Sequence, residues 1–519
     1  MTIPWLTILA LLPAVGAVVL IFTGVRAAKQ VALVVSLITL AIALIVAAQF
    51  RIGGRMQLVE QLPWIRPLGA YYALGLNGLG LTLVLLVVII TPVVIIASWR
   101  DFDPPVDMGS SSSSGTIAPK YDARVFFALV LAVQTCALYL FLATDVFLFY
   151  VFFEVILVPM YFLIGGFGPG PRRTYAAAKF LIFGLLGGFV MLASVIGLYV
   201  LSSRAGQPSY LLSTLSQLDI ATSTGRWLFV GFMFAFAIKA PMVPLHTWLP
   251  DAAEESTAGG ATMMVGVMDK IGTFGMIRFC LGLFPEASQW ATPVVLILAT
   301  ISILYGAILA IGSRDIMRFI AYTSISHFGF IVLGIFAFTS QSLTGSTLYM
   351  LNHGIGTAAL FVMAGYLIKR RGSRDINAYG GVDRVAPVMA GLLLFAGLNI
   401  LSLPGLASFV SEFMVLAGTF GRHPAYAVVS TLAIVLAALY ILIMYQRTMT
   451  GAADREVLQR VTEINGRERL AMAPLVLLIL LLGFFPKPLL SIIEPATQAT
   501  MQHLGVSDPQ PRVTAEGGR

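Results

Sequence analysis

Four ionisable residues lie inside long apolar stretches of this sequence. They are Glu154 in YVFFEVILVPMYF, Lys239 in FAFAIKAPMVPLHTWLP, Lys270 in MMVGVMDKIGTFGM and Glu412 in SFVSEFMVL. A charge at the centre of a membrane helix costs roughly 2.5–3.5 kcal/mol on insertion scales, so such residues mark pairs or ion paths. Glu154 and Lys239 have opposite signs and no close partner in sequence. A pair between helices is their cheapest arrangement. Taking a lysine out of water loosens its hold on the proton, and a nearby carboxylate restores it. A lysine whose carboxylate partner approaches and withdraws can therefore take up and release protons.

Lys239 also stands beside a helix break. Pro241 and Pro244 follow it, and Pro404 and Gly405 interrupt a second apolar run, NILSLPGLASFVSEF, just before Glu412. Unwound backbone inside a membrane exposes dipoles and admits water where it lines a cavity. Corresponding breaks in two halves are the sequence mark of an inverted-repeat transporter. The two breaks stand five helices apart, an odd offset that reverses orientation between the units. Three histidines extend the polar line: His246 after the first break, His327 in AYTSISHFGF and His353 in YMLNHGIGTAALF. Histidine titrates near neutral pH, which suits a proton path. No two histidines stand at ligand spacing with a carboxylate, so no metal site is expected. Asp145 after Thr144 is expected to cap a helix. Asp251, Glu254 and Glu255 are expected to form a solvated acidic loop.

The elements that must carry these residues follow from composition. Of 519 residues, 58% are hydrophobic and 11% charged, and the mean hydropathy is +0.91. A soluble protein of this size needs far more polar surface. Apolar runs of about 20 residues recur, each long enough to span a bilayer. The expected class is an all-α polytopic membrane protein with about fourteen transmembrane helices. Their approximate spans are 3–24, 29–49, 78–98, 124–143, 145–166, 174–201, 226–247, 256–283, 290–311, 314–338, 346–369, 385–420, 426–448 and 470–492. The first run lacks a basic leader and a cleavage site, so it is read as a retained helix. The serine-rich stretch GSSSSSG between the third and fourth spans is expected to be a flexible linker.

The net charge of +8 does not imply a nucleic-acid partner. About twenty of the 32 Lys and Arg residues fall in odd-numbered loops, and the excess places both termini outside the cytoplasm. Cys136 and Cys280 lie in apolar runs and give neither a disulfide framework nor a metal spacing. No nucleotide loop, flavin motif or haem motif is present, so no cofactor is expected on this chain.

Five motifs in order, KAPMVPLHTWLPDA, DKIGTFGMIRF, RDIMRFIAYTSISHFGF, LNHGIGTAALFVMAG and LSLPGLASFVSEFMVL, resemble the antiporter-like subunits of respiratory complex I. The resemblance spans roughly residues 70–490. It implies a fourteen-helix fold with two inverted five-helix repeats, 124–283 and 290–448. These are preceded by a three-helix segment and linker (1–123) and followed by a C-terminal helix and tail (449–519). By the same resemblance Glu154 pairs with Lys239 in a first half-channel and Lys270 carries the proton inward. His327 and His353 continue the axis, and Glu412 ends a second half-channel. Further implications are two homologous subunits flanking this one, surrounding lipids and a bacterial cytoplasmic membrane. FMN, iron–sulfur clusters and a quinone would be held elsewhere in the complex. Glu412 stands where the L and N branches of that group, and the multisubunit antiporters, usually carry lysine. Nothing after Ile492 is apolar enough for the long lateral helix of the L branch. Two features depart from the pattern. AEESTAGG from Ala253 lacks the usual loop histidine, and Asp269 replaces an apolar residue beside Lys270. Adjacent helical residues point about 100° apart, so Asp269 is expected to face another helix and tune the site. The competing readings are a subunit of a sodium/proton antiporter, the membrane arm of a hydrogenase-like complex, and a passive anchor.

Overall fold

The computed structural model describes residues 3–102, 117–453 and 455–510. The serine-rich stretch lies outside the described residues. From the N-terminus run α1 (Trp5–Phe22), α2 (Val25–Gln49), α3 (Gly78–Ala97), α4 (Ala123–Leu142), the pair α5 (Val146–Val155) and α6 (Leu157–Phe167), and α7 (Arg173–Arg204). A single turn, α8 (Leu212–Leu215), precedes α9 (Thr222–Lys239) and α10 (Trp248–Glu255), which are separated by an irregular turn. Then α11 (Ala258–Ala261) leads through π-helical turns over Thr262–Met268 into α12 (Lys270–Gly275) and a second π-helical stretch, Met276–Leu281. Three long helices follow, α13 (Pro285–Gly312), α14 (Ile316–Phe336) and α15 (Ser340–Arg371). The second interrupted segment is α16 (Pro387–Ile400) and α17 (Ala407–Arg422). After it come α18 (Pro424–Met449), α19 (Arg455–Arg460), α20 (Gly466–Phe484) and α21 (Lys487–His503).

Helix dominates because backbone in lipid must satisfy its hydrogen bonds within the segment. Among the described residues, ten helices, with α5 and α6 taken as one, are long and apolar enough to cross a membrane. The number rises to eleven if α20 and α21, bent by 72°, are one span. The expected spans at 226–247, 256–283 and 385–420 are not continuous helices. They are broken by prolines, by π-helical turns, and by the Ser402–Gly405 turn. In that turn Ser402 and Gly405 take left-handed backbone, with φ of 61° and 93°. Helices α3, α14 and α15 are enclosed by the rest, whereas α1, α2, α7 and α18 turn residues such as Phe22, Ile182 and Val435 outward. Such an apolar periphery suits lipid.

Two expectations need correction. The fold is not purely α, since Gln57–Ile65 (β1) and Ala70–Leu76 (β2) form an antiparallel hairpin between α2 and α3. None of the β1 residues is buried and five of the seven in β2 are, so no period-2 alternation marks the pair between the long apolar runs. The last expected span, 470–492, is two helices that meet at Pro486, the residue preceding α21. Proline there lacks an N–H to continue α20. The capping role expected of Asp145 is present: its carboxylate accepts from the backbone N–H of Leu148 at 2.9 Å and of Tyr71 at 3.0 Å.

Gly272 of α12 lies directly on the end of α9. A β-carbon there would fall 2.6 Å from both Ala240 N and the Phe236 carbonyl oxygen, which are backbone atoms that cannot swing aside. Gly272→Val therefore overpacks this crossing, and we expect a loss of about 1–3 kcal/mol. The check is the thermal unfolding midpoint of the detergent-solubilised protein, which should fall clearly below that of the wild type.

Candidate polar file between two helix breaks

The chain leaves α9 with its last carbonyls occupied. The N–H of Ala240 donates to Phe236 O at 2.7 Å and that of Met242 to Ala237 O at 3.0 Å. The indole N–H of Trp248 donates to Ile238 O at 3.0 Å. Pro241 and Pro244 bring no N–H into the break, and the N–H of Val243 donates to Ser302 Oγ of α13 at 2.9 Å. The break is thus satisfied by protein and stays open where an unbroken helix would close it.

Lys239 is the last residue of α9 and only 2% exposed. Its Nζ has no hydrogen-bond partner and lies 4.6 Å from the centroid of the Phe153 ring. The next residue, Glu154, turns its carboxylate onto Gly188 of α7, where a β-carbon would overlap Oε1. Glu154 and Lys239 act on each other electrostatically, but they do not form the direct ion pair expected of them. The reason is local: an aromatic face holds the ammonium, and a glycine notch on another helix receives the carboxylate. A cation over an aromatic ring keeps part of its stabilisation without a counter-ion.

Asp269 is fully buried and neither carboxylate oxygen has a hydrogen-bond partner. It acts electrostatically on both Lys239 and Lys270. Lys270 follows it, where the π-helical turns give way to α12. Lys270 Nζ donates to the Val265 carbonyl within those turns and contacts His353 Nδ1 of α15 at 2.8 Å. The rings of His353 and His327 have centroids 5.5 Å apart. His327 Nδ1 meets the Tyr349 hydroxyl at 2.5 Å, and that hydroxyl donates to Glu412 Oε2 at 2.7 Å. Ser402, within the second break, donates to the same oxygen at 2.6 Å.

Hydrogen-bond polarity along this line is constrained. An ammonium on Lys270 can only donate, so neutral His353 accepts at Nδ1 and carries its hydrogen on Nε2. If Tyr349 donates to Glu412, neutral His327 carries its hydrogen on Nδ1 and keeps a lone pair on Nε2. Both Nε2 atoms are buried without a protein partner. The two rings thus offer a donor and an acceptor between the Lys270 end and the Glu412 end.

The second break is held by amides. Asn352 Nδ2 donates to Ala407 O at 2.7 Å and to Ser411 Oγ at 3.2 Å, and Asn399 Oδ1 accepts from Ser408 N at 3.2 Å. Gly405 with Pro404 forms the turn, and the Gly405 carbonyl presses so close to Gly483 of α20 that a β-carbon there would clash. His246 is not joined to the file. Its ring packs edge-on against Tyr305 with centroids 5.3 Å apart. The structure adds Phe153, Gly188, Tyr349 and Ser402 to the expected site. Tyr349 was visible in sequence as the residue four before His353, and so on the same helical face. Ser402 was visible as a hydroxyl inside the second break.

The acidic cluster is not a solvated loop. Asp251, Glu254 and Glu255 lie on α10 and join an ion network. Lys179 of α7 meets Asp251 at 2.7 Å, and Arg318 of α14 meets Glu254 at 2.6 Å and also pairs with Asp251. Arg172 reaches Glu254 at 3.5 Å and Glu255 at 3.8 Å, while Arg374 donates to the Glu254 carbonyl. Burial pushes the Glu255 carboxyl above the ordinary glutamate range. The network ties α7 and α10 to α14.

Comparison with known proteins gives the family and the fold. The family described as NADH:quinone oxidoreductase/Mrp antiporter, TM matches residues 143–439. NADH-quinone oxidoreductase subunit M of Mycobacterium tuberculosis is 48% identical, over 98% of this chain and 96% of that protein. A chain of respiratory complex I from Thermus thermophilus superposes with a TM-score of 0.86 at 31% identity, covering 96% of this chain and all of that one (100%). A chain of the Mrp complex from Dietzia shares the fold, with a TM-score of 0.82 at 20% identity over 97% of this chain and 100% of that one. With identity sustained over almost the whole chain, and a solved relative in respiratory complex I, this chain belongs to the NADH-quinone oxidoreductase subunit M family.

Proposed function

We propose that the chain is a proton-translocating membrane-arm subunit of an NADH:quinone oxidoreductase, with the file from Glu154 to Glu412 as its proton path. The observation that carries this reading is the line Lys270–His353–His327–Tyr349–Glu412, which joins the two helix breaks through buried titratable groups. Electron transfer would occur elsewhere in the complex, on FMN, iron–sulfur clusters and a quinone, and this chain would bind none of them.

Within this reading the three interrupted segments and the α20 region complete fourteen spans. Residues 124–283 and 290–448 are two inverted repeats, each holding one break. Residues 1–123 and 449–519 flank them. The Lys/Arg bias places both termini on the non-cytoplasmic side of a bacterial cytoplasmic membrane. Two homologous antiporter-like subunits would flank this one, with lipid covering the remaining apolar periphery.

Charge balance supports the path. Glu154 and Asp269 both act on Lys239, and Asp269 also acts on Lys270, two acids and two lysines in one cluster. Quinone reduction would move Glu154 toward or away from Lys239. Contact favours the protonated lysine, and separation onto the Gly188 notch raises the free energy of the charged form. The proton would then pass through Asp269 to Lys270 and on through the two histidines and Tyr349 to Glu412. Asp269 would leave each lysine with its own acid.

The test of the function is a pull-down of the tagged chain in mild detergent. We expect flavin, iron–sulfur absorbance and NADH–quinone activity in the eluate. Small membrane partners without redox centres would transfer the same lysines to sodium/proton exchange, the reading that the shared Mrp fold keeps open. In assembled complex, Glu154→Gln and Lys239→Ala should each lower proton translocation and coupled quinone reduction about tenfold or more. Full pumping stoichiometry in both would mean that the path lies elsewhere. Tyr349→Phe removes one hydroxyl and little volume. It should lower proton flux by about tenfold with assembly intact, measured by vesicle acidification. Asp269→Leu should lower the proton-to-electron ratio, and a wild-type ratio would remove Asp269 from the path.

A further inference from the structure

Arg278 is a permanent charge that the proton path does not use. It lies in the π-helical stretch after α12, eight residues beyond Lys270. It is 8% exposed. Its Nη1 contacts Met56 Sδ at 3.5 Å, and its guanidinium lies 5.1 Å from the Phe274 centroid. Nε and Nη2 have no hydrogen-bond partner. Among the described residues it forms no ion pair. A guanidinium does not give up its proton, and a buried charge without a partner is costly. Something must complete this site.

Arg278 lines a cavity of about 480 Å³ at the edge of the β1–β2 hairpin, between α8 and α21. Asn77, Thr144, Ser213, Ser216 and Gln217 add amide and hydroxyl donors to the wall, and no carboxylate lines it. Leu79, Leu211, Ile277 and Leu283 make the remainder apolar. The space is far larger than a halide needs. A planar guanidinium fork with neighbouring hydroxyls matches the paired oxygens of a phosphate.

We propose that the Arg278 cavity binds a phosphate-bearing anion, gripped by the guanidinium and steadied by Ser213, Ser216 and Thr144. A phospholipid diester and free inorganic phosphate present the same chemistry to Arg278. The occupant would neutralise Arg278 and brace the hairpin against α8 and α21. It would sit about two helical turns beyond Lys270, outside the file.

The test uses the assembled complex purified in mild detergent, as wild type, R278K and R278Q. One arm measures bound phospholipid by mass spectrometry after reconstitution into phosphatidylglycerol nanodiscs. The other measures retention of radiolabelled inorganic phosphate. Wild type should hold roughly one phosphate equivalent per copy more than R278Q, with R278K between them. Gain in the first arm names the lipid, and gain in the second names free phosphate. Equal retention by wild type and R278Q in both arms overturns the proposal. If R278Q does not assemble, a density map of the wild-type complex decides. Tetrahedral density bonded to Arg278 supports the site, whereas solvent alone, or a neighbouring subunit's carboxylate on the guanidinium, overturns it.

Discussion

A full charge in the interior of a lipid-facing protein must be stabilised, yet a charge that carries protons must not be locked in place. Lys239 is stabilised in this structure without a hydrogen bond that locks it. The ring of Phe153 stabilises its ammonium from one side without fixing it as a bidentate carboxylate would. Glu154 is held nearby, in a notch that only glycine permits on α7. The surrounding architecture follows from keeping this pair close but separable. The broken end of α9 is stitched by Trp248 and Ser302, and Gly272 brings α12 against it.

From that pair the polar line crosses the molecule by changing the kind of group at each step. Lys270 meets His353, His327 meets the Tyr349 phenol, and the phenol meets the Glu412 carboxylate. The line's distinctive feature is the set of titratable side chains gathered between two unwound segments that lie far apart in sequence. Asn352, Asn399 and Ser402 serve the second break as Trp248 and Ser302 serve the first, with side chains replacing lost helical partners. The ion network of α10 with Lys179 and Arg318 fixes α7, which carries the Gly188 notch, relative to α14, which carries His327.

Much of this was legible in the sequence, because charge in an apolar run is rare and costly. Glu154, Lys239, Lys270 and Glu412 stood out for that reason, as did the prolines beside two of them. Less legible were groups whose types are ordinary in membrane helices. Phe153 and Gly188 are unremarkable as letters and gain meaning only from what they touch. Tyr349 could be inferred from its spacing to His353, but its contact with Glu412 needed the packing of α15 on α17. The β1–β2 hairpin was hidden in a connection between strong apolar runs. The acidic residues of α10 read as loop because their cationic partners, Lys179, Arg318 and Arg374, are distant in sequence. The bend at Pro486 was masked by apolar residues on both sides of it.

The most direct measurement is proton translocation per electron in proteoliposomes carrying the assembled complex with Lys270→Leu. Lys270 stands between Asp269, which acts electrostatically on it and on Lys239, and the histidines His353 and His327. The expected result is a fall in proton flux and in coupled quinone reduction together, with subunit composition unchanged. A wild-type ratio at a wild-type rate would show that protons do not pass through this junction, and the continuous file would then be structural.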